Sequence, residues 1–345
     1  MMRLVRLHTA ALEMTLECPC GCLACGSDAG RARKHELDAA EWLAVVDALA
    51  DLGCRRVTLT GGEPLRRPDW PRVARRARER GLAVDMITSG VGLDAKTLAK
   101  IRRAKLAGVT LSVDGTADVH DRLRGGPGRY DEALDAIRRL DRAGLKVGVS
   151  TQINRLTLPT LDALAPEIQD AGALGWQFQL TMPAGRAAGR GDLVLAPEEM
   201  PEVHRAIRRL QRRRGLRPFV TDNLGWMTRD DPVLRTPQRG PERCWLGCFA
   251  GLRSVAIASD GGLKGCLALP DSFVEGNVRE RPLAEIWRDP ARFAWNRSFD
   301  RASLSGACAS CSFGPVCRGG CTALAVTVHG RPGVSTHCFR LGGEP

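Results

Sequence analysis

Cys18-Pro19-Cys20-Gly21-Cys22-Leu23-Ala24-Cys25 follows the stretch Thr9–Thr15 after two residues and sets three cysteines in the spacing C-x3-C-x2-C. Three thiolates so spaced can hold three irons of a 4Fe–4S cluster and leave the fourth iron open for chemistry. Eight more cysteines stand in the last third: Cys244, Cys248, Cys266, Cys308, Cys311, Cys317, Cys321 and Cys338. Eight thiolates close two further clusters completely. Between the two groups lies only Cys54. The distribution predicts two metal-bearing units of different kinds.

Working outward, the first two-thirds alternate short apolar runs with amphipathic patterns. Strands are predicted at 9–15, 57–60, 83–88, 109–113, 147–152 and 176–180. Helices are predicted at 38–52, 68–80, 95–103, 130–143, 161–171 and about 197–214. In the first of these, Trp42, Val45, Val46 and Leu49 recur at helical spacing, Asp38 is the N-cap, and Gly53 follows the end. Six β–α units in series predict a parallel sheet with helices outside, curling into a partial (β/α)6 barrel of the TIM kind. Reactive groups in such barrels sit at the C-terminal strand ends. The cysteine triplet follows the first strand, Gly61-Gly62-Glu63-Pro64 the second, and Ser112-Val113-Asp114-Gly115 closes the fourth. All three converge on one mouth, whereas Cys54 precedes the second strand and falls at the opposite end, where it packs.

Residues 1–220 are assigned to the barrel, 221–243 to a Gly-, Pro- and Arg-rich linker, and 244–345 to a second iron–sulfur domain. The segment from Val255 to Cys266 reads as a hairpin around Asp260-Gly261. A disulfide scaffold does not suit 13 cysteines in a 345-residue chain that is 43% apolar, since such staples serve domains too small to build a core. Thiolates bound to metal in a reducing cytoplasm fit better. No apolar run reaches membrane-spanning length, and the start, Met1–Arg6, lacks a secretory signal pattern. The net charge of +12 lies largely in arginines on predicted helices, which read as solvated faces. With one Tyr and eight Phe there is little to stack on bases, which argues against nucleic acid as a partner.

These motifs resemble the radical S-adenosylmethionine (radical SAM) superfamily: Cys18-x3-Cys22-x2-Cys25 is its signature, and Gly61-Gly62-Glu63-Pro64 matches its second motif. The C-terminal part resembles the SPASM subfamily. Cys248 is followed by twelve residues, Gly261, four residues and Cys266, then by Cys308, Cys311, Cys317 and Cys321, and Cys338 closes the set. The resemblance spans roughly residues 9–340 and implies three 4Fe–4S clusters, one catalytic and two auxiliary. By it, Cys18, Cys22 and Cys25 hold the catalytic cluster, whose open iron chelates S-adenosylmethionine. One electron, from a donor such as flavodoxin or ferredoxin, then yields a 5′-deoxyadenosyl radical that abstracts hydrogen from substrate. The two glycines let the backbone approach the ligand's methionine end, and Glu63 with nearby carbonyls accepts from its ammonium. Thr60, Ser112 and Gln152 are further contacts of the ligand. Cys244, Cys248, Cys266 and Cys321 form the nearer auxiliary site and Cys308, Cys311, Cys317 and Cys338 the farther. Cys20 reads as a passive loop residue.

The reaction is less legible. The leading expectation is peptide modification by crosslinking, oxidation or decarboxylation. Dehydrogenation, epimerisation or dehydration of a sugar or nucleoside is the alternative, and an iron–sulfur redox carrier is a third. Eight residues precede the first strand and seven follow Cys338, too few for a winged-helix peptide-recognition domain, so a peptide would need a separate recognition protein or direct binding. Sulfatase-maturing relatives carry an aromatic residue after the third signature cysteine and an Asp after the G-x4-C cysteine. Here those positions are Gly26 and Leu267, which disfavours formylglycine formation. Arg186, Asp222, Asn223 and Trp226 lie in loops and are candidates to face the mouth and touch substrate, with surface-loop roles as the alternative. No catalytic acid, base or hydrogen donor is legible.

Overall fold

The computed structural model describes residues 5–221, 223–224 and 247–342. Seven strands follow one another in order across a sheet: β1 (Thr9–Glu13), β2 (Arg56–Thr60), β3 (Ala83–Thr88), β4 (Gly108–Ser112), β5 (Val147–Ile153), β6 (Gly175–Leu180) and β7 (Arg217–Val220). Each is parallel to the next. The connections are α1 (Ala39–Asp51), α2 (Trp70–Glu79), α3 (Ala95–Ala104), α4 (Ala117–Arg124), α5 (Arg129–Arg142), α6 (Leu161–Asp170) and α7 (Met200–Gln211). Local chemistry starts these helices where the sequence indicates. Asp38 accepts from the Glu41 N–H at 2.9 Å and Glu41 returns the bond to the Asp38 N–H at 2.7 Å, a reciprocal cap on α1. Within the barrel two elements were not foreseen, β7 and α4 with its sparse apolar content, and beyond it the helix Thr322–His329 was not foreseen either.

The strands split their faces by the two-residue period. Val57 and Leu59 on β2, Val109 and Leu111 on β4, and Trp176 and Phe178 on β6 are buried toward the helices. The other face carries Thr58 and Thr60, Ser112, Ser150 and Gln152, and Gln177 and Gln179. Register places Ser112 beside Ser150, Ser150 beside Gln177, and Gln152 beside Gln179. The concave face is therefore small and polar, a lining for a cavity rather than a filled barrel core. Thr151 accepts from the Trp176 indole N–H at 2.8 Å, so even the buried face leaves this donor satisfied.

The predicted hairpin is β8 (Ser254–Ile257) and β9 (Gly262–Lys264), and β10 (Gly276–Asn277) extends it. This hairpin does not stand apart. β8 pairs with β1 in parallel, Thr9 with Ser254 through Leu12 with Ile257, so the ten strands run β10-β9-β8-β1-β2-β3-β4-β5-β6-β7. Glu13 reinforces the seam, accepting from the Ser259 N–H and hydroxyl and pairing with Arg33. No helix among the described residues is long and apolar enough to cross a membrane.

Candidate active site

A cavity of about 610 Å³ opens at the C-terminal ends of the strands. Its first wall is the loop after β1. The Cys18 N–H donates to the Gly30 carbonyl at 3.1 Å and the Gly30 N–H to the Leu16 carbonyl at 3.0 Å, which closes residues 18–30 into a lobe. Cys18, Cys22 and Cys25 all line the cavity. Backbone and side-chain donors already face their sulfurs: the Ala29 N–H lies 3.4 Å from Cys25 Sγ, and Arg124 Nη1 lies 3.7 Å from Cys22 Sγ. Soft thiolates with N–H donors aimed at them suit an iron–sulfur cluster, so the residues present fit the group the sequence implies. Cys20 is buried in the same wall, between Cys18 and Cys22 and within thiol hydrogen-bonding reach of both. Its thiol lowers the Cys18 pKa. It also raises that of Cys22, to which burial adds.

The Gly61-Gly62-Glu63-Pro64 turn forms the second wall, and its parts divide differently from expectation. Thr60, Gly61 and Gly62 line the cavity. A Cβ on Gly61 would fall 2.3 Å from the Thr15 carbonyl oxygen, and one on Gly62 would fall 2.4 Å from that of Glu17. The glycines are thus demanded by the backbone that leads into the cysteine loop: the Gly62 N–H donates to Thr15 O and the Glu63 N–H to Glu17 O. Glu63 is placed differently from its neighbours. Its carboxylate is fully buried, is not part of the cavity wall, and accepts four bonds: from the Leu65 N–H, the Thr88 hydroxyl, and the Ser89 N–H and hydroxyl. Burial pushes its pKa up, against the pull of these donors. Glu63 braces the turn through these four bonds.

The concave face supplies the rest. Ser112, Ser150, Gln152, Gln177 and Gln179 line the cavity. Gln152 accepts weakly from Thr181 at 3.4 Å, while Gln177 and Gln179 carry no side-chain hydrogen bond among the described residues. Of the loop residues, Asn223 spans the end of β6, accepting from the Leu180 N–H and donating to its carbonyl. Arg186 clamps the cysteine lobe rather than reaching into open space. Its guanidinium donates to the Cys22 carbonyl at 2.7 Å and the Ala29 carbonyl at 2.7 Å and pairs with Asp28. Asp222 and Trp226 lie outside the described residues.

The C-terminal cysteines fall into two sets. Cys248, Cys266 and Cys321 pack into one small cluster with Ala250, Leu269 and Ala323, and Cys266 and Cys321 also line the main cavity. Cys308, Cys311, Cys317 and Cys338 are mutual neighbours. Burial pushes the Cys317 thiol up to about 12, and the adjacent Cys338, Cys308 and Cys311 add to the shift. Cys244 lies outside the described residues. Cys54 is buried far from the cavity, with its thiol against the Arg56 carbonyl at 3.2 Å.

Sequence reasoning missed Arg124, the Asp114 contact that orients it, and the Gln177–Gln179 pair. The glutamine signal was present as polar residues alternating with Trp176, Phe178 and Leu180. Arg124 sat in an unrecognised helix.

Residues 12–163 match the radical SAM superfamily and residues 248–312 match an iron–sulfur cluster-binding domain, SPASM. The chain is 28% identical to an AdoMet-dependent heme synthase of Oleidesulfovibrio alaskensis, over 93% of this chain and 84% of the relative. It is 29% identical to a PqqA peptide cyclase of Granulibacter bethesdensis, over 92% and 83%. The fold superposes on Streptococcus suis SuiB bound to the precursor peptide SuiA, with a TM-score of 0.75 at 16% identity, covering 97% of this chain and 76% of that one.

Proposed function

Because this chain is a radical S-adenosylmethionine enzyme of the SPASM subfamily, we propose that it modifies a peptide held between the cysteine lobe and the C-terminal unit. The observation that carries this reading is the uncharged part of the cavity wall that β6 supplies. Gln177 and Gln179 present unused carboxamides, each able to donate and accept, as a peptide backbone or amide side chain requires. Of the two arginines of the wall among the described residues, Arg124 pairs with Asp114, and Arg186 uses Nε and Nη1 on Asp28 and the lobe carbonyls while its buried Nη2 has no partner.

In this reading Cys18, Cys22 and Cys25 hold the catalytic cluster. Thr60, Gly61, Gly62, Ser112 and Gln152 surround S-adenosylmethionine. When bound, cluster and cofactor together supply, on addition of one electron, a 5′-deoxyadenosyl radical that takes a hydrogen atom from the substrate. The protein contributes position and exclusion of water. Cys248, Cys266 and Cys321, with Cys244, hold a nearer auxiliary cluster, and Cys308, Cys311, Cys317 and Cys338 a farther one. A flavodoxin or ferredoxin donates the electron, and a separate recognition protein presents the peptide.

The second reading is a small-molecule reaction, favoured by the relative named as a heme synthase. Anaerobic reconstitution with iron counting comes first, with about twelve irons expected for three 4Fe–4S clusters. Deuterium transfer into 5′-deoxyadenosine is then measured with deuterated precursor peptides from neighbouring genes, and with an iron tetrapyrrole and sugars in parallel. Transfer from a peptide supports the proposal. Transfer only from the tetrapyrrole or a sugar moves the assignment to the second reading.

A further inference from the structure

We propose that Arg124 is a positioning residue for the catalytic cluster, which sets its redox potential through a charged N–H···S bond to Cys22. The inference rests on the cluster assignment of Cys18, Cys22 and Cys25. Arg124 ends α4, and three contacts dock that end onto the lobe. The Leu23 N–H donates to the Leu123 carbonyl at 2.8 Å. A Cβ on Gly125 would fall 2.9 Å from the Gly21 backbone nitrogen, so only glycine permits this approach. Arg124 Nη1 lies 3.7 Å from Cys22 Sγ.

The guanidinium is held from behind. Its Nε donates to Asp114 Oδ2 at 2.7 Å and Nη2 lies 2.6 Å from the same oxygen, with the Asp114 side chain 2% exposed and that of Arg124 13%. Asp114 is fixed in turn, accepting the Gln152 N–H at 2.7 Å on Oδ1. His120, one turn before Arg124, accepts the Asp114 N–H at 3.0 Å on Nδ1. The Asp of the Ser112-Val113-Asp114-Gly115 segment is thereby spent on aiming an arginine at a cluster thiolate, and Ser112 alone is left on the cavity wall.

A buried cation donating to a cluster sulfur favours the more negative, reduced form, since hydrogen bonds to sulfur and local charge set such potentials. Removing the cation also leaves Asp114 as an uncompensated buried anion nearby, which acts in the same direction. Loss of Arg124 should therefore lower the potential.

The test is an EPR-monitored redox titration of reconstituted wild type, Arg124→Met, Arg124→Gln and Arg124→Lys, each with its iron count. The auxiliary-cluster signals serve as internal references. Arg124→Met and Arg124→Gln should fall about tenfold in the reduced-to-oxidised ratio at fixed potential, or about 59 mV for one electron. Arg124→Lys should recover part of the shift, and the auxiliary signals should not move. Should Arg124→Met fail to load iron, Arg124→Gln and Arg124→Lys decide the matter. Unchanged potentials at full iron in the charge-removing variant overturn the proposal while leaving the cluster assignment intact. A wild type that binds no cluster at Cys18, Cys22 and Cys25 overturns the assignment itself.

Discussion

Replacing Glu63 by Gln tests whether this carboxylate braces the turn or merely fills space. Each of its oxygens accepts one backbone N–H and one hydroxyl. The Leu65 N–H (3.2 Å) and the Thr88 hydroxyl (2.7 Å) meet Oε1, and the Ser89 N–H (2.8 Å) and hydroxyl (2.6 Å) meet Oε2. The hydroxyls can turn to accept, but the backbone donors cannot. Either orientation of the Gln amide therefore sets its NH2 against a fixed N–H, losing one bond and leaving two buried donors face to face. At about 1–3 kcal/mol per buried unsatisfied group, the two donors together cost roughly 2–6 kcal/mol. In urea unfolding of the anaerobically loaded protein the midpoint should drop by about 1 M. Because the Glu63 N–H holds Glu17 O just before Cys18, iron should also be lost faster to a chelator. A midpoint within about 0.2 M of wild type would refute the bracing argument. It would mean that the amide finds partners the geometry does not offer.

Burial raises the Glu63 pKa, so the folded chain holds that proton more tightly than the unfolded one. The resulting stability is complete below the ordinary carboxylate value and is lost as pH climbs through the folded value, so wild type should show a stability decline with rising pH that Glu63→Gln lacks, read by urea midpoints across that range. Arg186→Gln removes the charged bonds to the Cys22 and Ala29 carbonyls and should speed iron release to a chelator by about tenfold, with an unchanged rate contradicting the clamp. Cys20→Ala should keep the full iron count while Cys22→Ala loses the catalytic cluster, and a cluster missing from Cys20→Ala would make Cys20 a ligand. Gln177→Ala and Gln179→Ala should each lower peptide turnover by about tenfold and leave substrate-free cleavage of S-adenosylmethionine unaffected, as measured by 5′-deoxyadenosine yield.

Much of the barrel was legible because its strands obey one rule. Val57 and Leu59, or Trp176 and Phe178, alternate with polar partners, and α1 shows both its stripe and its cap. β7 escaped notice because four residues, Arg217–Val220, with a proline at the second, carry no readable period. α4 escaped because only His120 and Leu123 are buried along it. The cysteine spacings pointed to the site, but the roles of its neighbours depend on contacts between distant segments. Nothing local in Gly61-Gly62 says that Thr15 and Glu17 press against them, nor that Glu63 turns away toward Thr88 and Ser89. Arg186 read as a loop residue because its partners, Cys22, Asp28 and Ala29, lie more than 150 positions earlier.

The pairing of β1 with β8 also bears on how the protein is made. β1 receives one neighbour from β2 after some forty residues of synthesis, but the other arrives only with Ser254–Ile257. Until then the strand that feeds Cys18 has an open edge, and the growing chain carries an unpaired row of backbone donors and acceptors. Such long-range closure is slow and leaves a nascent chain prone to aggregation. A fragment released after residue 221 should therefore precipitate or bind chaperones even though it holds every strand from β1 to β7. The last quarter of the chain, besides carrying its own cysteines, completes the birth of the first.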